Sequence, residues 1–224
     1  MLEKVTTEQA DRRLSDEAYD RVVEYIMTGG LPAGAIIQER ALSDELGLSR
    51  TPLRDALLLL EGEGLLVREG KRLLRVVSMD ITRYMENLAI RRLLECEAAR
   101  LAVGRIAPAE LDQMEAILTR MLADFEAGEH PRREEVRRID EALHGAIAQA
   151  AGNAQLADIV ASLRLKTHIF DLKNMPERFR DTCREHLDII AALRDGSNPA
   201  AAAAAVERHI GAVRESIIAR LLPR

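Results

Sequence analysis

Residues 38–64 read QERALSDELGLSRTPLRDALLLLEGEG, and this stretch decides the fold of the first part of the chain. Apolar residues recur at helical spacing on both sides of Gly47. The pattern predicts a short helix over Glu39–Leu46, stopped by Gly47, and a second from Pro52 to Glu61. Pro52 suits the first helical position, where an amide has no intrahelical partner, and Ser49 or Thr51 can cap the free amides. Two short helices joined by a tight glycine-containing turn make a helix-turn-helix. Upstream, a helix is expected from Ser15, as N-cap, to Met27. Ala18, Val22, Val23, Ile26 and Met27 face inward, and Gly29-Gly30 end it. Downstream, Leu65–Ser78 (LLVREGKRLLRVVS) places two short apolar stretches around a charged tip containing Gly70, which predicts a β-hairpin wing.

Charge, read locally, points the same way. Residues 1–80 hold 11 Lys or Arg against 15 Asp or Glu, so the region as a whole is not basic. Ser49–Arg54, however, contains two arginines and no acid, and Arg68–Arg75 contains four basic residues against Glu69. Positive charge thus gathers at the start of the recognition helix and on the wing, where Lys71 and Arg72 are candidate phosphate contacts. The alternative is a winged helix that docks protein rather than DNA.

Beyond Ser78–Asp80 the pattern changes to long amphipathic helices, which divides the chain into residues 1–79 and 80–224. Six helices are expected, at 80–103, 108–127, 132–151, 153–174, 176–195 and 199–221, separated by glycine and proline breaks. The alanine run Ala200–Ala205 follows Asn198-Pro199 and reads as helix. The fold class is therefore mainly α: a winged helix-turn-helix followed by an all-α antiparallel bundle. Such a bundle can hold a site between facing helices.

Composition sets outer limits on function. Of 224 residues, only 3% are aromatic, with no Trp, which disfavours a base-stacking reader of single strands. The net charge of −5 rules out a general polycation, and two cysteines are too few for a disulfide framework. No apolar run has the length of a membrane span and the first residues lack a signal core, so a cytoplasmic protein without a membrane partner is expected.

Within the bundle, Asp140 and His144 stand four apart and share a helix face, while His186 and His209 lie among apolar neighbours on two later helices. One carboxylate and three imidazoles from three helices would suit a divalent metal ion. On pattern alone, ordinary core or surface histidines remain the alternative. His130, before Pro131, and His168, near Arg164, receive that reading, and Cys183 is a conceivable extra ligand.

Gln38–Gly64, and above all LSRTPLRDAL at 48–57 with Gly64-Leu65 following, resembles the N-terminal domain of GntR-type bacterial transcriptional regulators. The resemblance implies a dimeric operator-binding winged helix in which Arg40, Arg50 and Arg54 contact DNA and Ser49 and Thr51 hold phosphates. Arginine suits base reading because its planar fork can bond guanine O6 and N7 together. The family's late wing glycine is replaced here by Leu73, with Gly70 available to turn the hairpin. RRLLE at 91–95, DEALH at 140–144, AGN at 151–153, Glu185-His186 and RHI at 208–210 resemble in order the FCD ligand domain of the FadR subfamily. That resemblance implies Asp140, His144, His186 and His209 as metal ligands, with zinc expected first and nickel, manganese or iron as alternatives. It also implies Arg91 as an effector contact, a solvated i,i+4 salt bridge with Glu95 being the alternative.

The expected function is an effector-responsive, sequence-specific regulator in the bacterial cytoplasm at the nucleoid. A homodimer acting as a repressor, bound to operator double-stranded DNA and answering to a small carboxylate, is the specific form. A metal-dependent helical-bundle enzyme with an incidental winged helix is the competing reading, although no general acid or base announces itself beside the ligands. A helical protein-interaction module is the third.

Overall fold

The turn that makes the helix-turn-helix is built around Gly47. In the computed structural model, which describes residues 2–70, 73–78, 80–169 and 178–221, α1 spans Leu2–Met27, α2 Glu39–Leu46 and α3 Arg50–Gly62. Gly47 follows α2 in the left-handed conformation (φ 59°), which a side chain would disfavour, and the Leu48 amide bonds back to the Ser43 carbonyl. The buried Ser43 hydroxyl donates to the Leu48 carbonyl at 2.6 Å and holds the turn from the other side. Ala18, Val22 and Ile26 of α1 meet Leu53, Ala56, Leu57 and Leu60 of α3 in the core. Each fully buried Leu adds about 1.5–3 kcal/mol of apolar burial.

Two helix starts in this part of the chain differ from those expected by two residues or more. The helix α1 does not start at Ser15: the preceding stretch lacks Gly and Pro and is rich in helix formers, so the helix extends back to Leu2. Ser15 is interior, and its hydroxyl donates to Asp55 of α3 at 3.2 Å. The helix α3 starts at Arg50 rather than Pro52. Ser49 occupies the N-cap position without a side-chain cap bond, and Pro52 is the third residue, still within the turn whose amides lack helical partners.

The wing forms as an antiparallel pair, β1 (Leu66–Glu69) and β2 (Leu73–Val76), with Leu66 opposite Val76 and Glu69 opposite Leu73. Gly70 leaves β1 at φ 65°, as the tip requires. The other edge of β2 is covered by residues 34–37, through Gly34 N to Val76 O, Val76 N to Ala35 O and Ile37 N to Leu74 O.

The described residues cluster into two compact units that divide between Asp80 and Ile81, with His168 and Ile169 grouped with the first. Among the described residues the second contains α4 (Ile81–Ala102), α5 (Pro108–Glu126), α6 (Arg133–Ala150), α7 (Ala154–Ile169) except for its last two residues, α8 (Phe179–Asp195) and α9 (Pro199–Leu221). The expected extensions over 170–174 and 176–177 lie outside the described residues. The helix α4 packs on α9 and α6, α8 on α9 and α5, and α5 on α6. Asn153 caps α7 by accepting the Leu156 amide, and Asn198 caps α9 by accepting the Ala201 amide. Small residues are buried on both α4 (Ala98, Ala99, Ala102) and α9 (Ala202, Ala205), which lets these helices approach closely. Among the described residues no helix is long and apolar enough to cross a membrane.

Candidate metal centre and DNA-contacting face

The helix-turn-helix presents its polar candidates to solvent. Arg40 on α2 and Ser49, Arg50, Thr51 and Arg54 at the start of α3 are all exposed. The first turn of α3 carries no acid, so its partial positive end is unopposed by its own side chains. Arg54 is tethered: its Nε donates to Glu39 Oε2 at 2.7 Å across the two helices. In the wing, Arg68 is paired with Glu61 at 2.6 Å, while Arg75 bonds Glu69 and the Gly34 carbonyl. Half of the basic cluster seen in the sequence is therefore already engaged within the fold. Lys71 and Arg72 lie outside the described residues.

The bundle brings Asp140, His144, His186 and His209 together. One ligand atom from each lies within 4.8 Å of every other, and the imidazole centroids are 4.7–5.5 Å apart. Ligand atoms about 2.0–2.2 Å from a tetrahedral ion stand roughly 3.3–3.6 Å apart, so side-chain shifts of about an ångström close the set. The three histidines are buried and the Asp140 side chain is 14% exposed. His144 Nε2 and His186 Nε2 are buried without a hydrogen-bond partner among the described residues. Orphaned imidazole nitrogens beside a carboxylate are what a divalent cation would complete.

Surrounding carboxylates aim the rings. His144 Nδ1 meets Glu95 Oε2 of α4 at 2.6 Å, and His209 Nδ1 meets Glu185 Oε2 of α8 at 2.8 Å. Each carboxylate fixes a ring so that Nε2 faces the cluster. Arg164 of α7 donates to Asp140 Oδ2 at 2.5 Å, and Oδ1 lies 3.5 Å from His186 Nε2 and 3.9 Å from His144 Nε2. Burial, together with Arg164, holds His144 below its ordinary pKa. Burial and the neighbouring His209 depress His186 much further, so both rings are neutral near pH 7 and able to ligate. Burial alone would raise Glu95, but Arg91, His144 and Arg164 outweigh it and keep the carboxyl well below its usual range.

Arg91 makes the pair with Glu95 that was the alternative to an effector contact, but inside the protein rather than in solvent. Its Nε donates to Glu95 Oε1 at 2.5 Å and Nη1 to Thr167 Oγ1 at 2.9 Å, and the residue is 1% exposed. Cys183 is outside the ligand group. Burial pushes its thiol up to about 11, so it is not a thiolate near neutral pH. His130 packs edge-on against Phe125, and neither it nor His168 belongs to the group.

Sequence reasoning placed Glu95 only as a partner for Arg91, and it missed Arg164, Thr167 and the Glu185 clamp. A signal was present for α4. Tyr84, Asn87, Arg91 and Glu95 recur at intervals of three and four on the face that also carries Leu88, Ala98 and Ala102. No comparable local signal marks Arg164.

Comparison with known proteins gives two family matches. Residues 86–212 match the FCD domain, and residues 14–76 match bacterial regulatory proteins of the gntR family. The chain is 26% identical to the Glc operon transcriptional activator of Escherichia coli (strain K12), over 92% of this chain and 89% of that one. It is 28% identical to the HTH-type transcriptional repressor RspR of the same strain, over 88% and 83%. Among solved structures, E. coli McbR/YncC aligns with a TM-score of 0.74 at 22% identity, covering 93% of this chain and 96% of that one, a likeness of fold. These relatives and domains are transcription regulators rather than enzymes.

Proposed function

The chain belongs to the gntR family of bacterial regulatory proteins and carries an FCD domain, and from that premise we propose a metal-dependent, carboxylate-responsive operator-binding repressor that works as a homodimer. The observation that carries the proposal is the convergence of Asp140, His144, His186 and His209 in one chain with a helix-turn-helix whose Arg40 and Arg50 stand exposed. Residues 1–79 read DNA in this proposal, and residues 80–224 sense the effector.

Arg40, Arg50 and Arg54 take base edges and adjoining phosphates, and Ser49, Thr51, Lys71 and Arg72 hold phosphates. One winged helix reads a short half-site, so two modules related by a two-fold axis fit an inverted repeat. The protein acts where that DNA is, in the cytoplasm at the nucleoid.

In the bundle, Glu95 and Glu185 orient His144 and His209, and Arg164 engages Oδ2 of Asp140. A divalent ion on Asp140, His144, His186 and His209, zinc first and nickel, manganese or iron as alternatives, supplies Lewis-acid attraction for a carboxylate oxygen. The charges of Arg91 and Arg164 are balanced by Glu95 and Asp140, and burial keeps His144 and His186 neutral. A bound dication therefore leaves the interior about two charges positive, which favours entry of an organic anion. Arg91, which bonds Glu95 through Nε and Thr167 through Nη1, would turn its remaining N–H groups to a second oxygen of that anion. Effector and DNA couple when the effector prefers one arrangement of the dimer. A coupling of about 1–3 kcal/mol changes affinity roughly 5–150-fold, in both directions.

Fluorescence anisotropy on duplexes flanking the gene, with zinc-loaded and chelated protein and a panel of carboxylic acids, tests the proposal. Specific binding that one acid weakens only in the zinc-loaded protein is the expected result. An acid response that is the same with and without chelator overturns the metal-dependent reading.

A further inference from the structure

The inward face of α4 carries two polar side chains that the metal centre does not use. Glu95 and Arg91 are engaged with each other and with α6 and α7. Farther back along the same face stand Tyr84, 0% exposed, and Asn87, 6% exposed. Tyr84 Oη and Asn87 Oδ1 are buried and have no hydrogen-bond partner among the described residues. Leaving such atoms unpartnered is strongly unfavourable, so a native protein retains them where a partner arrives.

Their chemistry restricts that partner. Asn87 Nδ2 donates to the Leu163 carbonyl of α7 at 3.3 Å, which turns Oδ1 the other way as a pure acceptor. The Tyr84 phenol, neutral because of its burial, can donate or accept. Tyr84 and Asn87 stand three apart among the buried residues of α4, and Tyr84 is within electrostatic reach of both Arg91 and Asp140, so this stretch of the face borders the interior of the proposed effector site. A group meeting Asn87 Oδ1 must donate. An ammonium would do so, but the net positive charge that a bound dication leaves in this interior opposes it. A hydroxyl donates without charge and also accepts from Tyr84.

We propose that Tyr84 and Asn87 form a hydroxyl-recognising subsite and that the effector is a hydroxycarboxylate, its hydroxyl donating to Asn87 Oδ1 and accepting from Tyr84 Oη. This rests on the reading of the bundle as a carboxylate site and adds the second half of the ligand. A saturated fatty acid leaves both atoms unpartnered, and a buried water would satisfy them without selecting a ligand.

Calorimetry on the zinc-loaded full-length protein with matched acids tests it: butanoate against 4-hydroxybutanoate, and pentanoate against 5-hydroxypentanoate. Propanoate against lactate serves as the pair whose hydroxyl lies beside the carboxylate and reports chelation. At least one terminally hydroxylated acid is expected to bind about tenfold or more tightly than its unsubstituted partner. Tyr84→Phe and Asn87→Leu should each remove that preference and leave the unsubstituted acid unchanged. Tyr84→Phe, which keeps the ring and deletes only an unpartnered hydroxyl, should melt no lower than the parent and carries the test if Asn87→Leu fails to fold. Equal binding within every pair, or a preference that survives Tyr84→Phe, overturns the subsite and leaves the carboxylate reading intact. If no acid binds the zinc-loaded protein, the carboxylate reading fails and takes the subsite with it.

Discussion

Arg54 Nε meets Glu39 Oε2 at 2.7 Å on the outside of the helix-turn-helix, and Arg91 Nε meets Glu95 Oε1 at 2.5 Å inside the bundle. The same two residue types make nearly the same contact. The first pair is 67% and 45% exposed and the second 2% and 3%. In water the pair is screened and its partners exchange readily, so Arg54 can leave Glu39 for a phosphate with little loss. In the interior neither ion has water to return to, and each is held by further partners, Thr167 on one side and His144 with Arg164 on the other. One region keeps its charges available, and the other locks them to build a site.

The largest test of that contrast is Glu95→Gln. It should lower unfolding stability by about 3–5 kcal/mol, because Arg91 is left buried without its counter-charge. Glu39→Gln should leave the denaturation midpoint unchanged and tighten non-specific DNA binding by freeing Arg54. If guanidinium titration finds the two substitutions equally mild, burial does not separate the pairs.

Zinc should discriminate the two regions next. At a free concentration one hundred times its dissociation constant, added zinc should stabilise chelated protein by about 2.7 kcal/mol. His186→Ala should abolish that increment, whereas Arg50→Ala should keep it. An increment lost in Arg50→Ala would mean that the ion acts outside the bundle.

Arg50→Ala should act on DNA alone, removing about 1–3 kcal/mol of discrimination between operator and random duplex, as read from competition gel shifts. Unchanged discrimination would remove Arg50 from base reading.

The smallest effect concerns the thiols. Burial pushes both Cys96 and Cys183 up to about 11, so thiolate becomes appreciable only as pH approaches that value. A disulfide reagent at pH 8 should label Cys183 slowly in native protein and rapidly in denaturant. Fast native labelling would show that the bundle interior opens readily.

What could be read from the sequence follows from how far each signal reaches. Gly47, Pro52 and the apolar spacing of 38–64 act over a few residues, so the helix-turn-helix was legible there. The start of α1 was not, because Ser15 can cap a helix only if the chain before it declines to be helical. Asp140 and His144 share a face by spacing alone. The placement of His186 and His209 came through family resemblance, since three-dimensional convergence has no local pattern. Arg164 and Glu95 are 69 residues apart and look like ordinary surface charges until tertiary packing excludes water from both.

The six alanines at 200–205 resemble filler, yet they lie between the cap at Asn198 and His209 in one uninterrupted helix. A slippage event that added a seventh would preserve composition and helicity. It would also advance everything downstream by about 1.5 Å and rotate it by about 100°, carrying the imidazole at 209 off the inward face. Length rather than identity is thus the inherited information in that run, and a single-codon indel there would be more damaging than most substitutions.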